Sequence, residues 1–165
     1  VINGIKQLGL TIELLTGDSS PQGPRLARSL GIATVHSGQA PQQKMARVHH
    51  LQQNGAVVAM VGDGLNDAPV LGIADASFAV ASATDLARSQ ADFVIVGGNL
   101  HQVTLTVRRA RHCRRIISQN LAWALGYNLC AIPLAALGFV PPWAAAIGMS
   151  MSSLLVVANS LRLSR

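Results

Sequence analysis

Apolar and polar residues follow two different patterns along this 165-residue chain. In the first hundred residues, short apolar runs typical of buried parallel strands alternate with stretches in which apolar residues recur at helical spacing. The predicted strands lie at 10–15, 33–36, 57–61, 77–80 and 93–96. The predicted helices lie at 24–30, 42–54, 67–74 and 85–90. This alternation with short connections predicts an α/β fold with a mostly parallel sheet that helices cover on both faces.

From about residue 100 the pattern is helical throughout, which predicts one long helix with a kink near Pro133. Two segments of this region, about 119–138 and 142–161, are predominantly apolar. Each is close to the about 20 residues that a membrane helix needs. Two consecutive prolines between them predict a tight turn. We therefore predict a transmembrane hairpin of two helices; the alternative is a buried core hairpin of a soluble protein.

The charges divide the chain at the same place. Residues 1–100 carry six Lys or Arg and seven Asp or Glu, a net charge of −1, whereas residues 101–165 carry seven Arg and no acidic residue. The formal charge of +6 thus belongs to the second part and does not indicate a nucleic-acid-binding protein. Five of these arginines directly precede an uncharged run, 116–161. We expect one soluble domain over 1–100, and both ends of the hairpin in the cytoplasm by the positive-inside rule.

A candidate ligand site follows the third predicted strand. The apolar run 56–61 leads into the string Gly-Asp-Gly-Leu-Asn-Asp-Ala-Pro at 62–69. A Gly-rich turn at the carboxyl end of a parallel strand is where open α/β sheets bind ligands. Asp63 and Asp67 offer oxygen ligands of the kind that Mg²⁺ takes together with water and substrate phosphate. The alternative is a glycine turn followed by a helix cap.

The string at 62–69 resembles the hinge motif of P-type ATPases, ion pumps whose phosphorylation domain has a haloacid-dehalogenase-like, Rossmann-like fold. Two further motifs of that family precede it, namely Thr16-Gly17-Asp18 after the first predicted strand and Pro-Gln-Gln-Lys at 41–44. Their order and approximate spacing agree with the family. The resemblance covers essentially the whole chain. It implies that residues 1–100 are part of a phosphorylation domain.

The resemblance also implies chemistry, in which an Asp carboxylate attacks the γ-phosphate of ATP and the aspartyl-phosphate is later hydrolysed. Such a transfer needs positioning and positive charge around the phosphoryl oxygens. The implied supporting residues are Thr16, Gly17, Lys44, Asn66 and Asp67 beside the phosphoryl group, Asp63 with Asp67 at Mg²⁺, and Asp18, which is expected to shape its loop or contact a neighbouring domain.

The phosphorylated Asp of the family lies in an Asp-Lys-Thr-Gly-Thr string that this sequence does not contain. We therefore expect the chain to be the C-terminal portion of a longer pump, to be inactive alone, and to have ATP bound mainly by other domains. The segment 81–85 departs from a family pattern that is usually richer in Gly. We expect that loop to be stiffer and its role unchanged.

Two spans after the phosphorylation domain resemble the heavy-metal branch of the family. Within them, Tyr127-Asn128 and the pair Met149 and Ser153 resemble the copper-transporting subgroup. The resemblance implies that these four residues contact transported Cu(I), a soft ion that thioethers select. The alternative for each is helix packing, in which Met fills gaps and Ser allows close approach.

Details of these helices are most similar to bacterial copper pumps that serve cytochrome oxidase assembly. We accordingly expect a multi-pass protein of a bacterial inner membrane. Its expected partners are membrane lipid, the N-terminal part of the same pump and a copper chaperone or acceptor, with no nucleic acid. Three alternatives stay open: a Zn²⁺ or Cd²⁺ pump, a membrane-anchored haloacid-dehalogenase-like phosphatase, and a non-catalytic regulator. An acidic residue in the last span would favour Zn²⁺, and the sequence has none there.

Overall fold

The structure, a computed structural model, describes residues 1–63, 65–80 and 85–164. The chain divides into two compact units, Val1–Leu105 and Thr106–Arg165. Gly64 of the hinge-like string and residues 81–84 of the loop expected to be stiffer lie outside the described residues.

The first unit contains two parallel sheets. Its strands are β1 (Glu13–Leu15), β2 (Thr34–His36), β3 (Ala59–Gly62), β4 (Ala76–Val80) and β5 (Phe93–Ile95). β1 pairs with β2, and β3, β4 and β5 form a second sheet in that order. All three pairings are parallel. The predicted α/β class with parallel strands is confirmed.

The expectation of one sheet is corrected, because the described strands form two. Strands of one sheet must pair edge to edge at about 4.8 Å. Among the described residues, no strand pairing joins β1 to β3. The strands are also shorter than predicted at some ends: β1 begins at Glu13 rather than at residue 10.

Five helices and two 3₁₀ turns accompany these strands. They are α1 (Ile2–Gln7), which was not predicted, α2 (Gln22–Leu30), α3 (Pro41–Gln53), α4 (Ala68–Ile73), α5 (Asp85–Gln90) and the turns Leu65–Asp67 and Val96–Gly98. α3 begins with Pro41, and proline suits the first position of a helix because its missing N–H has no partner there anyway. α2 ends at Gly31, whose φ of 67° is the left-handed conformation that glycine adopts freely.

The core of the first unit lies on both faces of β4. Successive strand residues point to opposite faces. Ala79 packs with Ala68 and Leu71 of α4 on one face. Phe78 packs with Ile95 and Val103 on the other. The ring of Phe78 also stacks on Phe93 of β5, with centroids 4.9 Å apart. β4 is therefore covered on both sides. This packing holds in place the sheet of β3, β4 and β5, and β3 leads into the hinge-like string.

The second unit consists of helical segments. α6 (His101–Ala136) contains Pro133 and begins within the first unit; α7 (Pro142–Ser160) follows, and a 3₁₀ turn (Leu161–Ser164) ends the described chain. Gly138, two residues after the end of α6, has a φ of 79°. Side-chain hydrogen bonds join the apolar part of α6 to α7, for example from Trp123 Nε1 to Ser152 Oγ at 3.2 Å.

Among the described residues, one helical segment is long and apolar enough to cross a membrane, Pro142–Leu163, with a mean hydropathy of 1.6. It contains the second predicted span. The first predicted span, 119–138, is not among the described segments that meet this criterion. The hairpin of two transmembrane helices therefore stays a prediction.

Candidate functional site

Lys44 and Asp67 form the central ion pair of the candidate site. Lys44 lies on α3 and is only 7% exposed. Its Nζ atom lies 2.6 Å from Oδ1 of Asp67, the last residue of the turn Leu65–Asp67. Lysine is almost never buried unless it is paired. Asp67 therefore accounts for the burial of Lys44, and the pair fixes α3 against the segment that follows β3.

Gly62, the last residue of β3, makes room for this pair. A Cβ atom at Gly62 would lie 2.9 Å from Cβ of Asp67 and 3.2 Å from its Oδ2. The first distance is shorter than carbon atoms tolerate without a shift. Ala68 and Val70, which follow Asp67, are buried and hold the backbone of this segment in place. The close approach of β3 to Asp67 therefore requires glycine at position 62.

The other two polar residues of the string are exposed. Asp63 directly follows β3, and Asn66 lies in the 3₁₀ turn. Mg²⁺ is usually bound by one or two carboxylates, with water and substrate phosphate as the remaining ligands. Asp63 is open to solvent, and Asp67, half-buried, has one oxygen on Lys44. This donor set fits Mg²⁺, with Asp63 as the freer of the two carboxylates.

The Thr16–Asp18 segment forms a turn of its own after β1. The Thr16 hydroxyl accepts a hydrogen bond of 3.1 Å from the N–H of Asp18. The Asp18 carboxylate accepts two from Ser20, from its N–H at 2.7 Å and from its hydroxyl at 2.6 Å. The Ser20 hydroxyl is the main cause of the lowered pKa of Asp18. Asp18 thus organises its own loop, and Gly17 lies between the two hydrogen-bonding side chains.

Some of the residues predicted to surround the phosphoryl group are in contact with each other in the structure, and others are not. Lys44 and Asp67 are in direct contact, and Thr16 and Asp18 share a turn. Within the described ranges, no hydrogen bond or ion pair connects the turn after β1 to the pair after β3. The predicted roles of all these residues at a phosphoryl group stay predictions.

A second ion pair of the first unit was missed from the sequence. Arg47 of α3 donates to both carboxylate oxygens of Glu13 on β1, from Nε at 2.9 Å and from Nη2 at 2.7 Å. These bonds lower the pKa of Glu13, and the nearby His36 ring, 3.5 Å away, adds to the effect. The only signal in the sequence was a charged residue inside an apolar run. The pair attaches α3 to β1 beside the turn that carries Thr16.

Three of the four predicted metal contacts line one cavity in the second unit. Tyr127 and Asn128 of α6 and Met149 of α7 face a cavity of about 440 Å³, whose lining does not include Ser153. A Cβ atom at Gly148 would lie 2.6 Å from the Tyr127 hydroxyl oxygen. Glycine at 148 therefore lets the Tyr127 side chain lie against α7, next to Met149.

The chain is similar to known proteins over nearly its whole length. A family profile described as haloacid dehalogenase-like hydrolase matches residues 1–75. The copper-exporting P-type ATPase of Bacillus subtilis (strain 168) is 44% identical over 161 residues, 98% of this chain. The protein of the same name from Staphylococcus aureus (strain JH9) is 43% identical over 166 alignment positions, which include 99% of the chain.

The chain belongs to the P-type ATPase family. Among solved structures, a zinc-transporting PIB-type ATPase in its E2.Pi state matches 99% of this chain with a TM-score of 0.92 and 34% identity. The chain covers 27% of that structure, and 20% and 21% of the two curated relatives. The chain thus spans about a fifth of the length of the two curated relatives.

Proposed function

We propose that this chain provides the phosphoryl-handling side and two membrane helices of an ATP-driven, Cu(I)-translocating P-type ATPase. The observation that carries the proposal is the Lys44–Asp67 pair, held beneath Gly62 at the end of a parallel strand. A buried ammonium paired with a carboxylate at such a strand end, next to the exposed Asp63, suits a ligand that is both anionic and bound to a cation. A metal-associated phosphoryl group is such a ligand.

In the proposed site, Lys44 supplies positive charge to the phosphoryl oxygens, and Asp67 keeps its ammonium in place. Thr16 offers a hydroxyl, Gly17 an N–H, and Asn66 an amide to the same group. Asp63, with Asp67, would hold Mg²⁺, which when bound neutralises phosphate charge and orients the transferred group. The Asp that becomes phosphorylated belongs to another part of the proposed pump.

The proposed cargo is Cu(I), and its contacts are Tyr127, Asn128, Met149 and Ser153. The cavity that the first three line supports this part of the proposal. A thioether suits a soft monovalent cation better than a hard one. The names of the two bacterial relatives point the same way.

The proposed setting is a bacterial inner membrane, with α7 and the apolar part of α6 as spanning helices and both ends of the pair in the cytoplasm. Large apolar side chains on both helices are exposed, among them Leu125, Leu129 and Leu154. Exposed apolar surface of this extent indicates a lipid or protein environment. We propose lipid, the remainder of the pump and a copper chaperone or acceptor as partners, and the oxidase-assembly subgroup as the nearest kind of pump.

A second candidate cargo is Zn²⁺, because the solved structure with a TM-score of 0.92 is a zinc-transporting ATPase. Zn²⁺ takes Cys, His and carboxylate ligands. Residues 101–165 contain no acidic residue, so this part of the chain offers Zn²⁺ no carboxylate. This favours Cu(I).

The experiment compares Met149→Ala with Met151→Ala in the complete pump. Both methionines lie on α7 and are more than half exposed, but only Met149 lines the cavity. ATP hydrolysis is measured against free Cu(I) and against Zn²⁺. Stimulation by Cu(I) that Met149→Ala loses and Met151→Ala keeps supports the proposal. Stimulation by Zn²⁺ alone favours the second candidate, and equal Cu(I) stimulation in both variants removes Met149 from the pathway.

A further inference from the structure

Four polar side chains join α6 to α7 near residue 120. Asn120 donates from Nδ2 to Ser160 Oγ at 2.9 Å. Asn159 donates from Nδ2 to Asn120 Oδ1 at 2.8 Å and to Gln119 Oε1 at 3.2 Å. We name Gln119, Asn120, Asn159 and Ser160 the amide cluster. It lies on the helices that carry the predicted metal contacts and includes none of them.

Most of the cluster's hydrogen-bonding groups are used within the protein. The Ser160 hydroxyl also donates to the Val156 carbonyl at 2.9 Å, and Arg162 donates to Asn159 Oδ1 at 3.1 Å. Asn120 and Asn159 each both donate and accept a side-chain hydrogen bond. Groups that already bond each other are poor candidates for binding cargo. The cluster is better suited to holding the two helices together.

The cluster and the cavity lie on one seam between the helices. On α6, positions 120, 123 and 127 are separated by three and four residues, and on α7, positions 148, 152, 156 and 160 are each four apart. Residues at these spacings share a helix face. Along the seam, the Asn120–Ser160 bond is followed by the Trp123–Ser152 bond and then by the contact of Tyr127 with Gly148.

Hydrogen bonds along such a seam fix its register. A slip of one helical turn displaces a helix by about 5.4 Å along its axis. Atoms that now lie 2.8–2.9 Å apart would then be beyond the range of a hydrogen bond. An apolar seam tolerates slip better, whereas a polar pair specifies one alignment because any other leaves its donor or acceptor unpaired.

We propose that the amide cluster is a positioning device, which sets the register of α6 against α7 and thereby the placement of Tyr127 and Asn128 relative to Met149. The proposal rests on the proposed function, because it concerns the geometry of the proposed copper site. Asn120, Asn159 and Ser160 are positioning residues; they act on the cargo through the helices. Loss of their bonds loosens the cavity without removing any metal-contacting group.

The chain offers a matched pair of variants for the test. Ser160 and Ser150 both lie on α7, and the hydroxyl of each donates to the carbonyl four residues earlier at 2.9 Å. Ser160 also accepts the bond from Asn120 of α6, whereas within the part of the chain that the structure describes the Ser150 hydroxyl bonds only within α7. Ser160→Ala therefore removes a bond between the helices, whereas Ser150→Ala removes only a bond within one helix.

The measurement is the KM for Cu(I) and the kcat of ATP hydrolysis in the complete pump, with phosphorylation from inorganic phosphate as the check on folding. Ser160→Ala should raise KM about threefold, the effect of one average hydrogen bond between membrane helices. Asn159→Leu, which removes several such bonds, should raise KM about tenfold. Ser150→Ala should match the wild type.

A double-mutant cycle of Asn120→Ala and Ser160→Ala adds a second criterion. Because the two side chains share a bond, their effects on KM should be less than multiplicative. KM values within twofold of wild type for Ser160→Ala, Asn159→Leu and Asn120→Ala overturn the proposal. If Asn159→Leu does not accumulate, Ser160→Ala and Asn120→Ala decide the outcome. A wild-type pump without any Cu(I) stimulation contradicts the proposed function instead, so the two failures are distinguishable.

Discussion

The ammonium of Lys44 lies 2.6 Å from the carboxylate of Asp67, although 23 positions separate the two residues in the sequence. Their side chains are only 9% and 14% exposed. In such surroundings each charge depends on the other, because an unpaired buried charge is costly. The pair thus both secures α3 to the segment after β3 and keeps a positive charge at the end of that strand.

Replacing Lys44 by methionine should therefore remove this charge while preserving most of the side-chain volume. We expect the amount of phosphoenzyme formed from ATP by the complete pump to fall about a hundredfold, as when one preorganised electrostatic contact is lost. The measurement is acid-stable incorporation of labelled γ-phosphate. Lys6→Met is the control, since Lys6 is an exposed lysine of α1. Equal phosphoenzyme in both variants would contradict the role of Lys44.

Replacing Gly62 by alanine should disturb the same pair without changing any charge. The added Cβ would lie 2.9 Å from Cβ of Asp67, so Asp67 or β3 must shift at a cost of about 1–3 kcal/mol. We expect a marked loss of phosphoenzyme with little loss of protein. Gly72→Ala is the matched control, because its Cβ would meet only the end of the flexible Gln90 side chain, at 3.0 Å. A normal Gly62→Ala pump would show that Asp67 needs no close approach.

These residues were predictable because the signals lie in local strings. Gly62, Asp63 and Asp67 stand in one eight-residue motif after an apolar run, and Lys44 in another short motif. Strand positions were also close to the prediction, since apolar runs mark them directly. The pairing of Lys44 with Asp67 in space was not predicted by the strings themselves, since it depends on how α3 packs.

Features that depend on distant partners could not be predicted in the same way. The division into two sheets depends on which strands pair with each other. No local sequence pattern predicts that pairing. Glu13 and Arg47 are 34 positions apart, so the sequence around either residue does not indicate that they pair. Similarly, Met149 and Ser153 share a helix face by spacing, but Ser153 lies a turn further along α7 and does not line the cavity.

The Glu13–Arg47 pair predicts a pH-dependent stability. Hydrogen bonds from Arg47 hold the pKa of Glu13 below its ordinary value of 4.5. A lowered folded-state pKa stabilises the fold above the unfolded-state value, and this contribution disappears as pH falls through the folded-state pKa. The thermal midpoint of Glu13→Gln should therefore lie below that of wild type at pH 7, and the difference should shrink below pH 4.5.

Circular dichroism melts between pH 7 and pH 3 measure this difference. A difference between wild type and Glu13→Gln that grows on acidification has the wrong sign and rules out the proposed linkage.

The proposed membrane topology predicts where the connection between α6 and α7 is accessible. Phe139 lies in this connection and is 73% exposed. If both ends of the helix pair are cytoplasmic, a cysteine introduced by Phe139→Cys should react with an impermeant maleimide only from the opposite side. Right-side-out and inverted vesicles give the two arms of the measurement. Reaction from the cytoplasmic side refutes the topology.

The contact between Tyr127 and Gly148 predicts that α7 cannot carry even one methyl group at position 148 without loss. A Cβ there would lie 2.6 Å from the Tyr127 hydroxyl oxygen, so this hydroxyl must shift from its position beside the cavity that Met149 lines. If Tyr127 contacts Cu(I), Gly148→Ala should raise the KM for Cu(I) about tenfold, as expected for a displaced ligand.

Gly126→Ala separates this effect from a general response to an extra methyl group in the helix pair. Gly126 lies on α6 beside Tyr127, and a Cβ atom there would have no heavy atom within 4 Å. Alanine also suits a helix interior better than glycine. Gly126→Ala should therefore keep the wild-type KM. In the Tyr127→Phe background, Gly148→Ala should raise KM no further than Tyr127→Phe alone, since the phenylalanine ring lacks the hydroxyl oxygen that lies at 2.6 Å. Equal KM values for the Gly148 and Gly126 variants would show instead that the Tyr127 hydroxyl has no part in binding Cu(I).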